Sequence, residues 1–127
     1  FTFLNQTICS QVTSVTLSTN ALFRFASQYR TNFYTFNYDV QNQKFLTNQE
    51  ILNYTNETQI NAQLKANFKN PEGCFTTEPT LKDVTVVNFN KTSVCFTYGQ
   101  YILGAYACGV AEVNVPRTAL KNDLLIK

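Results

Sequence analysis

Apolar and polar positions along the chain fall into short regular patterns, and those patterns predict most of its elements. Residues 1–18 mix apolar residues with Ser and Thr as an extended segment would. Asn20 stands where it can cap a helix, and Leu22, Phe25, Ala26 and Tyr29 follow at i, i+3, i+4 and i+7, predicting a helix over residues 20–30. From Thr31 to Val40 the period changes to two, with Tyr34, Phe36, Tyr38 and Val40 on one side of a predicted strand. That shared face reads as core.

Leu46-Thr47-Asn48-Gln49-Glu50-Ile51 has the form of a capping box, with Thr47 and Glu50 exchanging hydrogen bonds and Leu46 and Ile51 as the apolar staple. Ile60, Leu64 and Phe68 then stack at i, i+4 and i+8, predicting a helix from Glu57 to Lys69. Asn70-Pro71-Glu72-Gly73 ends it, since proline cannot continue the ladder and glycine permits the turn.

Three β-prone runs follow, Val84 to Phe89, Ser93 to Tyr98 and Tyr101 to Cys108, separated by Asn90-Lys91 and Gly99-Gln100. Tight loops there would set Phe89 opposite Thr92, Val87 opposite Val94, Phe96 opposite Leu103 and Tyr98 opposite Tyr101. One face then carries Val87, Phe89, Val94, Phe96, Tyr98, Tyr101, Leu103 and Ala105. Gly109 to Val115 extends this meander or adds a strand, Pro116 stops it, and residues 117–127 read as a short helix and a brief strand. The expected fold class is α+β, an antiparallel β-meander sheet with helices packed on one face and stapled by disulfides. The expected organisation is one extracellular domain over residues 1–127: an extended N-terminal segment (1–19), helix–strand–helix (20–69) and meander (80–115).

Composition narrows the setting. With 127 residues, 44% apolar and only 14% charged, the chain has enough apolar residues for a core. Polarity comes mainly from 15 Asn and 17 Thr. The net charge of +2 is scattered, without the basic stripe that a phosphate backbone requires, so nucleic acid is not an expected partner. The chain starts at Phe1 and lacks Met, as expected of a processed product with its signal peptide removed or of a segment excised from a longer protein that carries any membrane anchor elsewhere. No stretch is long and apolar enough to span a bilayer.

Four cysteines (Cys9, Cys74, Cys95 and Cys108) without a C-x-x-C pair, in a chain with no His, predict disulfides rather than zinc. The expected register places Cys108 too far along to bond Cys95, and the pairing expected is Cys74–Cys95 with Cys9–Cys108. Four Asn-x-Thr sequons begin at Asn5, Asn53, Asn56 and Asn90. Cysteines and sequons together point to a secreted glycoprotein, or to the outer face of a cell or virion.

Absence of His excludes Ser-His-Asp and Cys-His catalysis. Carboxylate chemistry on a sugar would need two of Asp39, Glu50, Glu57, Glu72, Glu78, Asp83, Glu112 and Asp123 to converge; scattered as they are, they read as solvating charges. No glycine-rich phosphate cradle and no calcium-loop spacing is present, so neither a cofactor nor a metal is expected. Tyr29, Tyr34, Tyr38 and Tyr106 are candidates for an aromatic recognition patch.

Residues 32–98 resemble SEA domains, extracellular α+β modules of mucins and other glycosylated membrane proteins. The resemblance lies in Asn32-Phe33-Tyr34-Thr35-Phe36-Asn37-Tyr38, in Leu46-Thr47-Asn48 and Tyr54, in the helix of Ile60, Leu64 and Phe68, and in the run from Val84 to Val94. Some members cleave themselves before a serine. The resemblance puts Ser93 at that serine, but Thr92 at the preceding glycine, where a β-branched residue resists the required turn. The function expected is non-enzymatic: adhesion, spacing or protein–protein interaction at a cell surface. The alternatives are a receptor-binding or immune-evasion domain of a viral or parasite glycoprotein, and a carboxylate hydrolase.

Overall fold

The computed structural model describes the backbone of residues 2–9, 12–22 and 29–126, and the side chains of residues 33 and 35–126. The fold is α+β, with two antiparallel sheets among these residues. Strands β1 (Thr2–Cys9), β2 (Val12–Leu22), β3 (Tyr29–Asp39) and β4 (Lys44–Phe45) form the first sheet in sequence order. Helices α1 (Asn48–Ile51) and α2 (Glu57–Asn67) follow. Strands β5 (Val86–Phe89), β6 (Ser93–Tyr98) and β7 (Ala111–Pro116) make the second sheet, again a meander.

The core lies between the β5–β6–β7 sheet and α2. Val87, Phe89, Val94, Phe96, Tyr98, Val113 and Val115 face Ile60 and Leu64 of α2, with Ile51, Leu52, Leu81, Leu103 and Leu120 closing the sides. These faces follow from period two on the strands and from the i, i+4 stacking on the helix. Burying a side chain of this size contributes about 1.5–3 kcal/mol. Tyr98 is accommodated because its hydroxyl donates to the Thr80 carbonyl at 2.9 Å.

Several expectations hold. Glu50 Oε1 accepts from the Thr47 amide and hydroxyl, both at 3.2 Å, with Ile51 buried and Leu46 packed on the core. The helix starts at Glu57 as expected but ends at Asn67, two residues short of Lys69, where Phe68 turns extended. The expected turn follows, Gly73 donating to the Asn70 carbonyl at 3.1 Å with its φ at +64°, a value that favours glycine.

Others are corrected. The helix expected over 20–30 gives way at its ends to strand: β2 runs through Leu22 and β3 starts at Tyr29, while residues 23–28 lie outside the described residues. The cause is the unbroken pairing from Val12↔Asp39 to Leu22↔Tyr29, which satisfies eleven residues of backbone that local helical spacing would serve less well. The third meander strand is residues 111–116, not 101–108. Ile102 donates to the Gly99 carbonyl, and Tyr101 has φ +70°, so the chain turns away from the ladder after Tyr98. The β5–β6 register is offset by two residues, Phe89↔Val94 and Val87↔Phe96, because the loop spans Asn90 to Ser93. A slip of two preserves the face, so Val87, Phe89, Val94, Phe96 and Tyr98 are buried as expected, whereas Tyr101 and Ala105 are exposed.

The disulfide joins Cys74 to Cys108, replacing the expected pairing. Residues 101–108, freed from the meander, fold against the segment after α2 through the Phe75↔Gly104 bridge and the bonds from Thr76 and Thr77 to the Leu103 carbonyl. Gly104 permits the approach: a Cβ there would stand 3.2 Å from the Cys74 carbonyl oxygen. Cys95 is a free thiol in the middle of β6, between Asn88 and Asn114. The side chain of Cys9 lies outside the described residues.

The two sheets meet at β5. Its residues are buried throughout, and the Val87 carbonyl accepts from Asn37 Nδ2 at 3.0 Å and Thr35 Oγ1 at 3.4 Å, both on β3. Among the described residues, no helix is long and apolar enough to cross a membrane.

Candidate interaction surface

Strand β3 turns its polar side inward. Thr35 and Asn37 reach the second sheet, and Asn37 is 2% exposed. Period two then sends Phe36 and Tyr38 to the opposite face, so the expectation that this aromatic face is core is reversed, and Phe36 is 44% exposed. The strand ends in a turn closed by Asp39, whose carboxylate accepts from the Asn42 amide at 3.1 Å and from Asn42 Nδ2 at 2.7 Å. These bonds hold the Asp39 carboxyl below the usual carboxylate range. The turn returns the chain as β4, which pairs Phe45 with Tyr38 and Lys44 with Asp39.

Three rings consequently meet on the outer surface. Phe45, 67% exposed, stands edge-on to Tyr38 with centroids 5.1 Å apart and to Phe36 at 6.4 Å. Exposed Val40 extends the apolar content of the same region of chain. A charged rim adjoins it, where Lys44 is ion-paired with Glu50. That contact and the Thr47 amide lower the Glu50 carboxyl and the contact raises the Lys44 ammonium. An aromatic centre with a polar border is the anatomy of a protein-contact site.

A second, smaller aromatic pair lies beside the disulfide: Tyr101 and Tyr106 have centroids 5.6 Å apart, next to exposed Ile102. Of the tyrosines expected to form a recognition patch, Tyr38 and Tyr106 therefore reach exposed clusters. The side chains of Tyr29 and Tyr34 lie outside the described residues. Phe45 escaped the sequence reading because a two-residue strand has no periodicity; only its position between the Asn42-Gln43 turn and the capping box hinted at it.

Two polar recesses accompany these surfaces. One, of about 340 Å³, is lined by Asn48, Gln49, Tyr54, Glu57, Lys82 and apolar neighbours. Burial, offset in part by a bond to Asn48, raises the Tyr54 phenol. The other, of about 280 Å³, lies between the end of α2 and the outer edge of β7.

No group of three or more metal-ligating side chains is found among the described residues. Their carboxylates are dispersed. Glu78 pairs with Lys65 at 2.9 Å, Asp83 accepts from Thr80 at 3.0 Å, and buried Asp123 accepts from Asn56 at 2.8 Å. Neither Asp39 nor Glu50 has the raised value that a general acid requires. Ser93 Oγ donates to Asn90 Oδ1 at 3.1 Å, and its backbone is part of the β6–β7 ladder opposite Pro116.

No protein-family model and no curated protein sequence matches the chain. Among solved structures, the fold is similar to that of a DUF3298 family protein from Pseudomonas aeruginosa PAO1, with a TM-score of 0.63 and 19% identity. The match covers 90% of this chain and 56% of the bacterial one, so the chain spans little more than half of that protein. At this identity the likeness concerns the fold: two antiparallel sheets with a helix, as described above.

Proposed function

We propose that the chain is an extracellular, non-enzymatic recognition domain that binds a protein partner through the Phe36–Tyr38–Phe45 surface. The supporting observation is the inversion of β3. The strand buries Thr35 and Asn37 while two phenylalanines in mutual contact stand 44% and 67% exposed. Exposed apolar surface of this kind is costly in water and is characteristic of surfaces covered by a partner. The Cys74–Cys108 disulfide supports an oxidising compartment, as do the sequons. Patch and rim fit recognition at a cell surface better than passive spacing, for which a uniformly polar exterior would suffice.

The test is a binding screen of the disulfide-intact chain against arrayed secreted and cell-surface ectodomains, followed by titration of each hit. The doubly substituted F36S/F45S chain should lose a specific partner at least tenfold in affinity while keeping its thermal midpoint. A Tyr101→Ser, Ile102→Ser variant should retain it. Binding that survives F36S/F45S and disappears with the second variant would overturn the assignment.

A further inference from the structure

The three sequons with described side chains are not equivalent. Asn90 Oδ1 accepts from the amides of Thr92 at 2.8 Å and Ser93 at 2.7 Å, and from both hydroxyls at 3.1 Å. Amide N–H groups can only donate, so these contacts fix which end of the carboxamide is oxygen. Nδ2 is left without a partner among the described residues. Asn53 repeats the arrangement: its Oδ1 accepts from the Thr55 amide at 3.3 Å and the Thr55 hydroxyl at 2.5 Å. In both, the threonine of the sequon is folded back onto its own asparagine, and Thr55, Lys91 and Thr92 are exposed.

Asn56 is the reverse. Its Nδ2 is the group in use, donating at 2.8 Å to a carboxylate oxygen of Asp123, which is 5% exposed. The surrounding chain is drawn tight: Asn53 donates to the Asp123 carbonyl at 2.8 Å, Leu125 donates to the Ile51 carbonyl at 2.8 Å, and Leu52 bridges Leu124. Asn56 and Thr58 are themselves exposed, but a sugar on this nitrogen would take one of its two hydrogens and crowd the other against a buried carboxylate.

We propose that Asn53 and Asn90 are sites of N-linked glycan attachment and that Asn56 is a structural residue despite its sequon. The inference rests on the extracellular reading above. In the transfer, supplied by a host enzyme with a polyprenyl-pyrophosphate-linked oligosaccharide, Nδ2 attacks the anomeric carbon. The N–C bond forms as the C–O bond to pyrophosphate breaks, the lipid pyrophosphate leaves with the electron pair, and one amide proton passes to the enzyme's base. In the folded chain Asn53 and Asn90 carry the sugar on a nitrogen that no described residue uses, whereas on Asn56 it would disturb the bond to Asp123.

The test is secretion of the chain from a eukaryotic host, which supplies the transferase whatever the natural source, with intact mass and peptide mapping. Thr55→Ala and Thr92→Ala should each remove one glycan mass, whereas Thr58→Ala, which deletes the Asn56 sequon but keeps Asn56, should change neither glycan mass nor melting temperature. Loss of a glycan in Thr58→Ala, or an unmodified Asn53 or Asn90 in the folded wild type, would overturn the proposal. Neither result touches the F36S/F45S binding outcome, so failure of this proposal and failure of the recognition reading remain separable.

Discussion

Asn37 on β3 donates through its side-chain amide to the main-chain carbonyl of Val87 on β5, fifty residues later, at 3.0 Å in a buried setting. This bond fastens the outer sheet to the edge of the inner one, and it explains why a polar residue occupies the inward face of β3. A buried carbonyl stripped of its donor loses free energy comparable to a full desolvation penalty.

Asn37→Ala removes the shorter of the two bonds to this carbonyl while Thr35 keeps the longer one, and should destabilise the protein by about 1 kcal/mol in urea unfolding. Thr35→Val should cost less, because its hydroxyl reaches the same carbonyl at the longer distance of 3.4 Å. Equal stability of Asn37→Ala and wild type would mean that the two sheets are not joined there.

Cys74 and Cys108 enclose a segment separated by 34 residues. Loop-closure arguments put the stabilisation from a cross-link of that length at about 3–4 kcal/mol. Reduction, or the double substitution C74S/C108S, should lower the urea midpoint accordingly, and non-reduced peptide mapping should recover the Cys74–Cys108 bond with no Cys74–Cys95 species.

Burial, assisted by the nearby Glu112 carboxylate, pushes the Cys95 thiol up to about 11. At pH 8 nearly all of it is thiol rather than the nucleophilic thiolate. Cys95 should react with disulfide reagents many-fold more slowly in the native protein than in urea. Native reactivity matching that of an exposed cysteine would contradict the placement of β6.

Lys44 and Glu50 give a pH signature. Glu50 titrates below its unfolded value, so its contribution is present above that unfolded value and is lost as acid protonates it through its lowered folded value. Lys44 is raised, so its contribution is present below the unfolded lysine value and disappears as pH climbs through the folded one. Carboxyl NMR should show the Glu50 midpoint moving upward in Lys44→Gln.

The sequence disclosed what local chemistry determines. The capping box at Thr47, the Ile60–Leu64 stripe and the turn at Gly73 each depend on neighbours within a turn or two, and all three formed, although the helix before that turn stopped at Asn67. The core face of β5 and β6 was also legible, because a two-residue error in register leaves parity intact. What failed depended on distant partners. Leu22, Phe25, Ala26 and Tyr29 have helical spacing, yet Leu22 and Tyr29 pair as strands because β2 and β3 lie side by side. The outward turn of Phe36 was hidden for the same reason. Both faces of β3 contain residues that suit a strand, and only the Val87 carbonyl, far away in sequence, decides that Asn37 goes in. Cys74 and Cys108 met only because the chain left the ladder after Tyr98, a departure that no short window contains.

The cross-link has a mechanical corollary. Strands β5 and β6 lie wholly inside the Cys74–Cys108 loop, whereas β7 and the four strands of the first sheet lie outside it. Tension applied between the two ends of the chain passes through the sulfur–sulfur bond and bypasses the loop. About 120 Å of contour length is thereby withheld from extension. The inner hairpin would survive a pull that peels away β7 and the outer sheet, and only a reductant would release it to the load.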